Sequence, residues 1–249
     1  MEEVKGRVAN PELCLNALRM TFGAIVMKDL FRRFAAPCCV RTADLSSWNA
    51  HNCYISLWRT GGMPQMVFEY ILKKQGIDPK KDLTIIQNID FGLTSQAFAA
   101  GEGDYTIEFE PAATGLELEG AGKVVASLGV ESGKVPYTAF SAKKSYIKKN
   151  PEIIQKFTNA IQKGMDYVQS HTPGEIADAI APQFKETDKD TLVMIVTRYY
   201  EQDTWKDNLI FEKESLELLQ DILDEAGELT ARVPYEDIVT TEYADKAKK

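Results

Sequence analysis

An α/β fold is predicted by three features of this 249-residue sequence. Between residues 64 and 128, stretches of helical apolar period alternate with short apolar runs, which is the pattern of parallel βα units. Glycine or proline punctuates the switches, as at Gly76, Pro79, Gly101, Pro111 and Gly120. A hydrophobic share of 44% beside 27% charged residues supplies a sizeable core. No run approaches the roughly 18 apolar residues of a membrane span.

The elements follow in order. Pro64 suits the first turn of a helix, where its missing N–H is not needed. Val67, Phe68, Ile71 and Leu72 recur at helical spacing, and Gly76 ends the helix. Pro79-Lys80-Lys81-Asp82 is a turn, and Leu83, Ile85, Ile86 and Ile89 predict a short strand. Ser95 to Ala100 makes a short helix. Tyr105, Ile107 and Phe109 alternate as a second strand. Pro111 opens a helix through Leu118, and Val124 to Leu128 is a third strand. Pro136 to Phe140 reads as strand-like.

Four helices are predicted behind it. Pro151 to Ser170 places Ile153, Ile154, Phe157, Ile161, Met165 and Val168 on one stripe. Thr172-Pro173 caps a second helix carrying Ile176, Ala179 and Ile180. Asp188 to Tyr200 and Ser215 to Ala226 show the same period, and such stripes are core. The last ten residues, rich in Lys and Ala, predict a frayed tail.

The front of the chain reads differently. Leu15 to Phe31 is compatible with a helix, with apolar positions on several faces and Gly23 in its middle. Residues 34–58 show neither alternation nor helical period, so no element is assigned. All four cysteines (Cys14, Cys38, Cys39 and Cys53) and six of the eight arginines lie within residues 1–59. That segment carries net +3 and residues 60–249 carry net −11. An acidic body argues against nucleic acid as a partner. The cysteines lack metal-site spacing, and His51 and His171 lie far apart, so neither a metal nor another cofactor is expected. The acidic N-terminus and short apolar run Phe22 to Met27 are a poor secretory signal. Cys14 follows Pro11-Glu12-Leu13, without the small residues of a lipoprotein cleavage site.

Two places could hold chemistry. Thr60, Gly61, Gly62 and Met63 open a helix whose free N–H groups suit an anion or a carbonyl oxygen, and the glycines admit a ligand close to the backbone. A plain turn before a helix explains them equally well. Glu108 and Glu110 fall by alternation on one face at the C-terminal end of a strand, where open α/β sheets take ligands. Paired carboxylates there could serve acid/base work or grip an amine; Glu110 could equally be a carboxylate favoured by a helix N-terminus. No nucleophile motif, dinucleotide fingerprint or P-loop occurs, so no catalytic residue is assigned. Trp205, Tyr199 and Tyr200 could stack on a flat ligand, but at this spacing packing is the expected role.

Three stretches carry a family resemblance: RTGGMPQMVFEYILKKQGIDPKKDLTI, AFAAGEGDYTIEFEPAA and VPYTAFSAKKSYIKKNPEIIQKFTNAIQKGMDYVQSH. In this order they resemble the solute-binding proteins of ABC importers for nitrate, sulfonates, taurine and pyrimidine precursors of thiamine. The resemblance covers roughly residues 60–249. It implies a type II periplasmic-binding-protein fold of two α/β lobes, a small organic solute, a membrane permease as partner and a periplasmic or cell-surface location, in a family that includes lipoproteins. Carried over, Gly61, Gly62 and Met63 offer backbone N–H groups to the ligand, Glu110 lines the cleft, and Tyr137 and Thr138 sit at the return crossover.

The resemblance further implies a second lobe over 60–134, with residues 135–249 as the helical remainder of the first. Only 59 residues stand in front, and they do not resemble the family's opening, so the first lobe is expected to be incomplete. We expect residues 1–58 to come from a shifted reading frame or a wrong start, which retranslation of the upstream DNA in the other frames tests. The helices of 135–249 are then expected to expose apolar stripes. Two rival readings are an enzyme resembling the thiamine pyrimidine synthases of the same fold and a non-binding fragment. Cys38-Cys39 does not reproduce the synthases' cysteine-rich motif.

Overall fold

The structure is a computed structural model that describes residues 24–28, 53–56, 62–90 and 92–247. The chain divides into two compact units, one of Phe22–Val135 with Leu218–Thr230 and one that includes Pro136–Glu217 and Ala231–Lys249. The first holds a five-stranded sheet among its described residues. Its strands are β1 (Ala24–Lys28), β2 (Cys53–Ser56), β3 (Leu83–Ile86), β4 (Tyr105–Glu108) and β5 (Gly122–Ser127). Their order across the sheet is β3-β2-β4-β1-β5.

The pairing sets the direction of every strand. β2 runs parallel to β3 and to β4. β1 runs antiparallel to both β4 and β5, so β5 points the same way as β4. The three strands expected after residue 60 are present and co-directional, but none of them pairs with another. β2 separates β3 from β4, and β1 separates β4 from β5. Both inserted strands come from the segment that the composition set apart. Within Leu15 to Phe31, whose sequence is compatible with a helix, Ala24–Lys28 forms β1; the rest of that stretch lies outside the described residues. Ile25 and Val26 are β-branched, and a run this short suits a strand inside a sheet better than a helix.

Helices follow the strands as βα units predict: α1 (Met63–Lys74), α2 (Thr94–Ala100), α3 (Ala112–Leu118) and the short α4 (Leu128–Ser132). Gly76 and Gly101, both with positive φ, close α1 and α2 in a conformation that side chains disfavour. The core joins Ile55, Val67, Phe68, Ile71, Leu72, Ile107 and Leu128. Leu218–Thr230 adds most of α9 (Lys213–Glu225), which brings Ile222 into the same core and pairs Glu225 with Lys73 at 3.1 Å. Asp104 fastens β2 from the side: its N–H donates to the Tyr54 carbonyl at 2.7 Å, and its Oδ2 accepts from the Tyr54 N–H at 2.9 Å.

The second unit is helical: α5 (Lys144–Lys149), α6 (Pro151–Ser170), α7 (Pro173–Ile180), α8 (Lys189–Glu201), α10 (Tyr235–Ile238) and α11 (Glu242–Ala247), with the first residues of α9. Thr172 and Glu175 form a capping box that starts α7, and Asp188 caps α8. Val168, Ile176, Ala177, Leu192 and Val196 bury together, so these stripes make a core of their own. The expected exposure of apolar stripes is not general: on α6 Ile161, Met165 and Val168 are buried, and of the stripe Ile153 alone is exposed, at 42%. The strand expected over Pro136 to Phe140 has no regular structure; Pro136 offers no N–H to a ladder, and Thr138 to Phe140 are exposed. The tail is not frayed through Ala247: α11 forms, with Lys246 donating to Glu242 at 2.6 Å.

Candidate functional site

β2, β3, β4 and β5 all end at one edge of the sheet, because they share a direction. Each is followed by a helix, so α1 to α4 start from that edge. Their N-termini bring the positive ends of four helix dipoles to the place where open α/β sheets take ligands, although in α3 the Ala113 and Thr114 N–H groups already donate to the Phe109 carbonyl and to Glu110. Gly62 caps α1 in extended conformation, and Pro64 occupies its first turn without a side-chain cap. The first-turn N–H groups therefore have no side-chain partner of that kind. Met63 and Gly62 are half-buried, while Thr60 and Gly61 lie outside the described residues.

Glu108 is the last residue of β4 and is only 4% exposed. Two residues of a strand apart, Thr106 points the same way and its hydroxyl donates to Glu108 Oε1 at 2.9 Å. Thr94, the first residue of α2 and equally buried, donates to the same carboxyl. Burial pushes the Glu108 carboxyl above its ordinary range, and the two hydroxyls pull it part of the way back. In the register, Glu108 and Ser127 both pair with Ala24 across β1. Ser127 precedes α4 and is buried, about 10 Å away at two strand spacings.

Glu110 does not continue the strand. β4 stops at Glu108, and Glu110 turns into the start of α3, where Oε2 accepts from the Thr114 N–H at 3.0 Å. It thus caps a helix N-terminus, the second of the two roles open to it from the sequence. Alternation placed both carboxylates on one face; the structure keeps both at the same sheet edge but gives them different partners. Tyr137 is half-buried and Thr138 exposed in the irregular segment that opens the helical unit, and burial raises the Tyr137 hydroxyl. The sequence missed Thr94 and Thr106. Both are small hydroxyl residues in apolar surroundings, and only their pairing with a buried carboxylate marks them.

The other candidates resolve into packing. Trp205 meets Tyr199 and Tyr200 edge-on, at 5.9 and 6.0 Å between ring centroids. His171 stacks on Tyr167 at 3.6 Å and its Nδ1 contacts the Tyr167 carbonyl at 2.9 Å, at the C-terminal end of α6. Among the described residues no group of three or more His, Cys, Asp or Glu could hold a metal ion, and no helix is long and apolar enough to cross a membrane.

Comparison with known proteins adds the following. Residues 54–175 match the family model described as NMT1/THI5 like. The match thus begins at Tyr54, on β2 and ahead of the compositional seam. The chain is 47% identical over 188 residues to YtlA, a candidate binding protein of Bacillus subtilis (strain 168); the alignment covers 76% of this chain and 56% of that protein. The chain therefore spans little more than half the length of this curated relative. In structure it is similar to the periplasmic aliphatic sulphonate binding protein SsuA from Escherichia coli, with a TM-score of 0.60 at 13% identity over 91% of this chain and 72% of that one. It is equally similar to the periplasmic nitrate-binding protein NrtA from Synechocystis PCC 6803, with a TM-score of 0.60 at 13% identity over 91% of this chain and 64% of that one. These likenesses carry the fold, the type II periplasmic-binding-protein fold expected from the sequence.

Proposed function

We propose that this chain, which carries an NMT1/THI5-like domain over residues 54–175, is the solute-binding component of an ABC importer. It captures a small organic solute without chemistry and hands it to a membrane permease outside the cytoplasm. The observation that carries this reading is the sheet edge itself. Four helix N-termini converge on it, and the buried Glu108 and helix-capping Glu110 sit among them. Such an edge offers donors and acceptors to a polar molecule and excludes water from part of it. The relatives' descriptions as binding proteins support the same class.

In this reading Thr60, Gly61, Gly62 and Met63 supply backbone N–H groups, and Glu108 and Glu110 supply acceptors. Two carboxyls at the edge favour an amine-bearing heterocycle, such as a pyrimidine precursor of thiamine, over a sulfonate or nitrate, because a desolvated carboxylate repels an anion. Isothermal calorimetry with a thiamine pyrimidine precursor, an alkanesulfonate and nitrate tests this. Saturable heat with the pyrimidine alone is expected. Saturable heat with an anion alone overturns the choice of solute, and silence with all three overturns the binding reading for these solutes.

A further inference from the structure

Every residue from Thr138 to Tyr146 is exposed, and α5 buries no side chain; Ile147 and Asn150 are half-buried, and on the first turns of α6 Ile153 and Lys156 are exposed while Ile154, Gln155 and Phe157 are half-buried. This stretch carries Lys143, Lys144, Lys148, Lys149 and Lys156, all exposed, against the single carboxylate Glu152. The sign is opposite to that of the chain as a whole, which carries −8. Four other lysines of the same helical unit are paired, while Lys163 and Lys185, which stand singly, are not. Lys189 pairs with Asp178 at 2.6 Å, Lys206 with Glu212 at 3.4 Å, Lys213 with Glu236 at 3.5 Å and Lys246 with Glu242 at 2.6 Å. Among the described residues, none of the five lysines of the exposed stretch makes an ion pair.

Apolar groups stand among these charges. Phe140 is 63% exposed, Tyr146 47% and Ile153 42%. Phe140 packs edge-on against Phe157 with ring centroids 4.9 Å apart, and Phe157 lies one turn beyond Ile153 on α6. A merely solvated lysine face has no use for an open phenyl ring. A protein partner fits less well, because lysine is depleted from the cores of protein interfaces. Clustered lysines with interleaved aromatic and aliphatic side chains suit an anionic bilayer. The ammonium groups reach the headgroup phosphates while the rings settle at the boundary with the acyl chains.

We propose that the segment from Thr138 to Phe157 docks the protein on an anionic lipid surface. The attraction is electrostatic first, so it weakens with salt, and the exposed rings add a part that salt does not screen. This proposal stands apart from the solute site, since none of its residues belongs to that set.

Co-sedimentation of the purified full chain with vesicles tests it. Phosphatidylcholine vesicles containing phosphatidylglycerol should bind the protein at low ionic strength and release it at high salt, and vesicles of phosphatidylcholine alone should not bind. The double reversal K148E/K149E should weaken binding at least about tenfold. Neither side chain is buried, so the variant's circular dichroism should match the parent's. F140A should weaken binding severalfold and leave the salt dependence unchanged. Equal binding to both vesicle types, no binding to either, or an unchanged affinity in K148E/K149E overturns the proposal. So does binding to soluble poly-glutamate without binding to the anionic vesicles, which would assign the surface to an acidic protein.

Discussion

The hydroxyl of Thr106 donates to Oε1 of Glu108 at 2.9 Å, within a sheet where both residues are almost wholly buried. Burial of Glu108, which the Thr106 hydroxyl offsets only in part, makes stability depend on pH in an unusual direction. The Glu108 carboxyl is raised by burial, so the folded state holds this proton more tightly than the unfolded chain does. The stabilisation is complete below the ordinary glutamate range and is lost as pH rises through the raised value. Urea unfolding across a pH series should show this loss, and Glu108→Gln should abolish it. Thr106→Val removes one donor and should cost about 1–3 kcal/mol at neutral pH. An identical pH slope in parent and Glu108→Gln would exclude Glu108 as its source.

Glu110 has a structural duty that a ligand role has to be separated from. Its Oε2 accepts from the Thr114 N–H. Glu110→Ala should therefore lower stability by about 1 kcal/mol, the usual cost of losing an N-terminal acceptor. Glu110→Gln keeps an acceptor oxygen and should stay within a few tenths of a kcal/mol of the parent. If the amine-bearing solute is correct, calorimetry on Glu110→Gln should show weaker binding without a change in unfolding midpoint. Unchanged affinity counts against Glu110 as a ligand contact.

A chain starting at Thr60 is expected not to fold cooperatively. It lacks β1 and β2, and in the order β3-β2-β4-β1-β5 these are the described neighbours of the remaining three strands. β3, β4 and β5 would be left with unpaired backbone groups and an open apolar face. Broad thermal unfolding with strong dye binding is the expected result for residues 60–249. A sharp transition matching that of the full chain would show that the two front strands are dispensable.

The helical unit should be sensitive at its own small core. Leu192 is 2% exposed and packs with Val168, Ile176, Ala177 and Val196. Leu192→Ala should cost about 2–5 kcal/mol, from lost transfer energy and the cavity left behind. Met194, two residues away and 41% exposed, provides the control. Met194→Ala should change stability by less than about 0.5 kcal/mol in the same urea titration.

Much of this fold is legible in the sequence itself. α1, α6, α8 and α9 were readable because their apolar stripes run over several turns and end in caps such as Asp188 or Gly76. β3, β4 and β5 were readable from short runs bounded by glycine and proline. β1 and β2 were not. A strand of four or five residues in mid-sheet, without alternation, has no period to distinguish it. Their pairing is also entirely long-range, so no local signal records it. At the site, the carboxylates announced themselves by charge, whereas the threonines that hold Glu108 carry no sequence mark. Glu110 left two roles open because dipole capping and ligand contact ask for the same side chain in the same place.

The sheet unit has a consequence for how the protein is made. Its strands and first helices are complete once Val135 has emerged from the ribosome, but its core also needs Ile222, from the returning segment Leu218–Thr230. At roughly 5–20 residues per second, several seconds separate the two events. Throughout that interval the surface destined for Ile222 has no cover, and a nascent chain in this condition is a natural client for a holding chaperone. Slowed translation between these points should therefore lower the soluble yield even when the finished protein is stable.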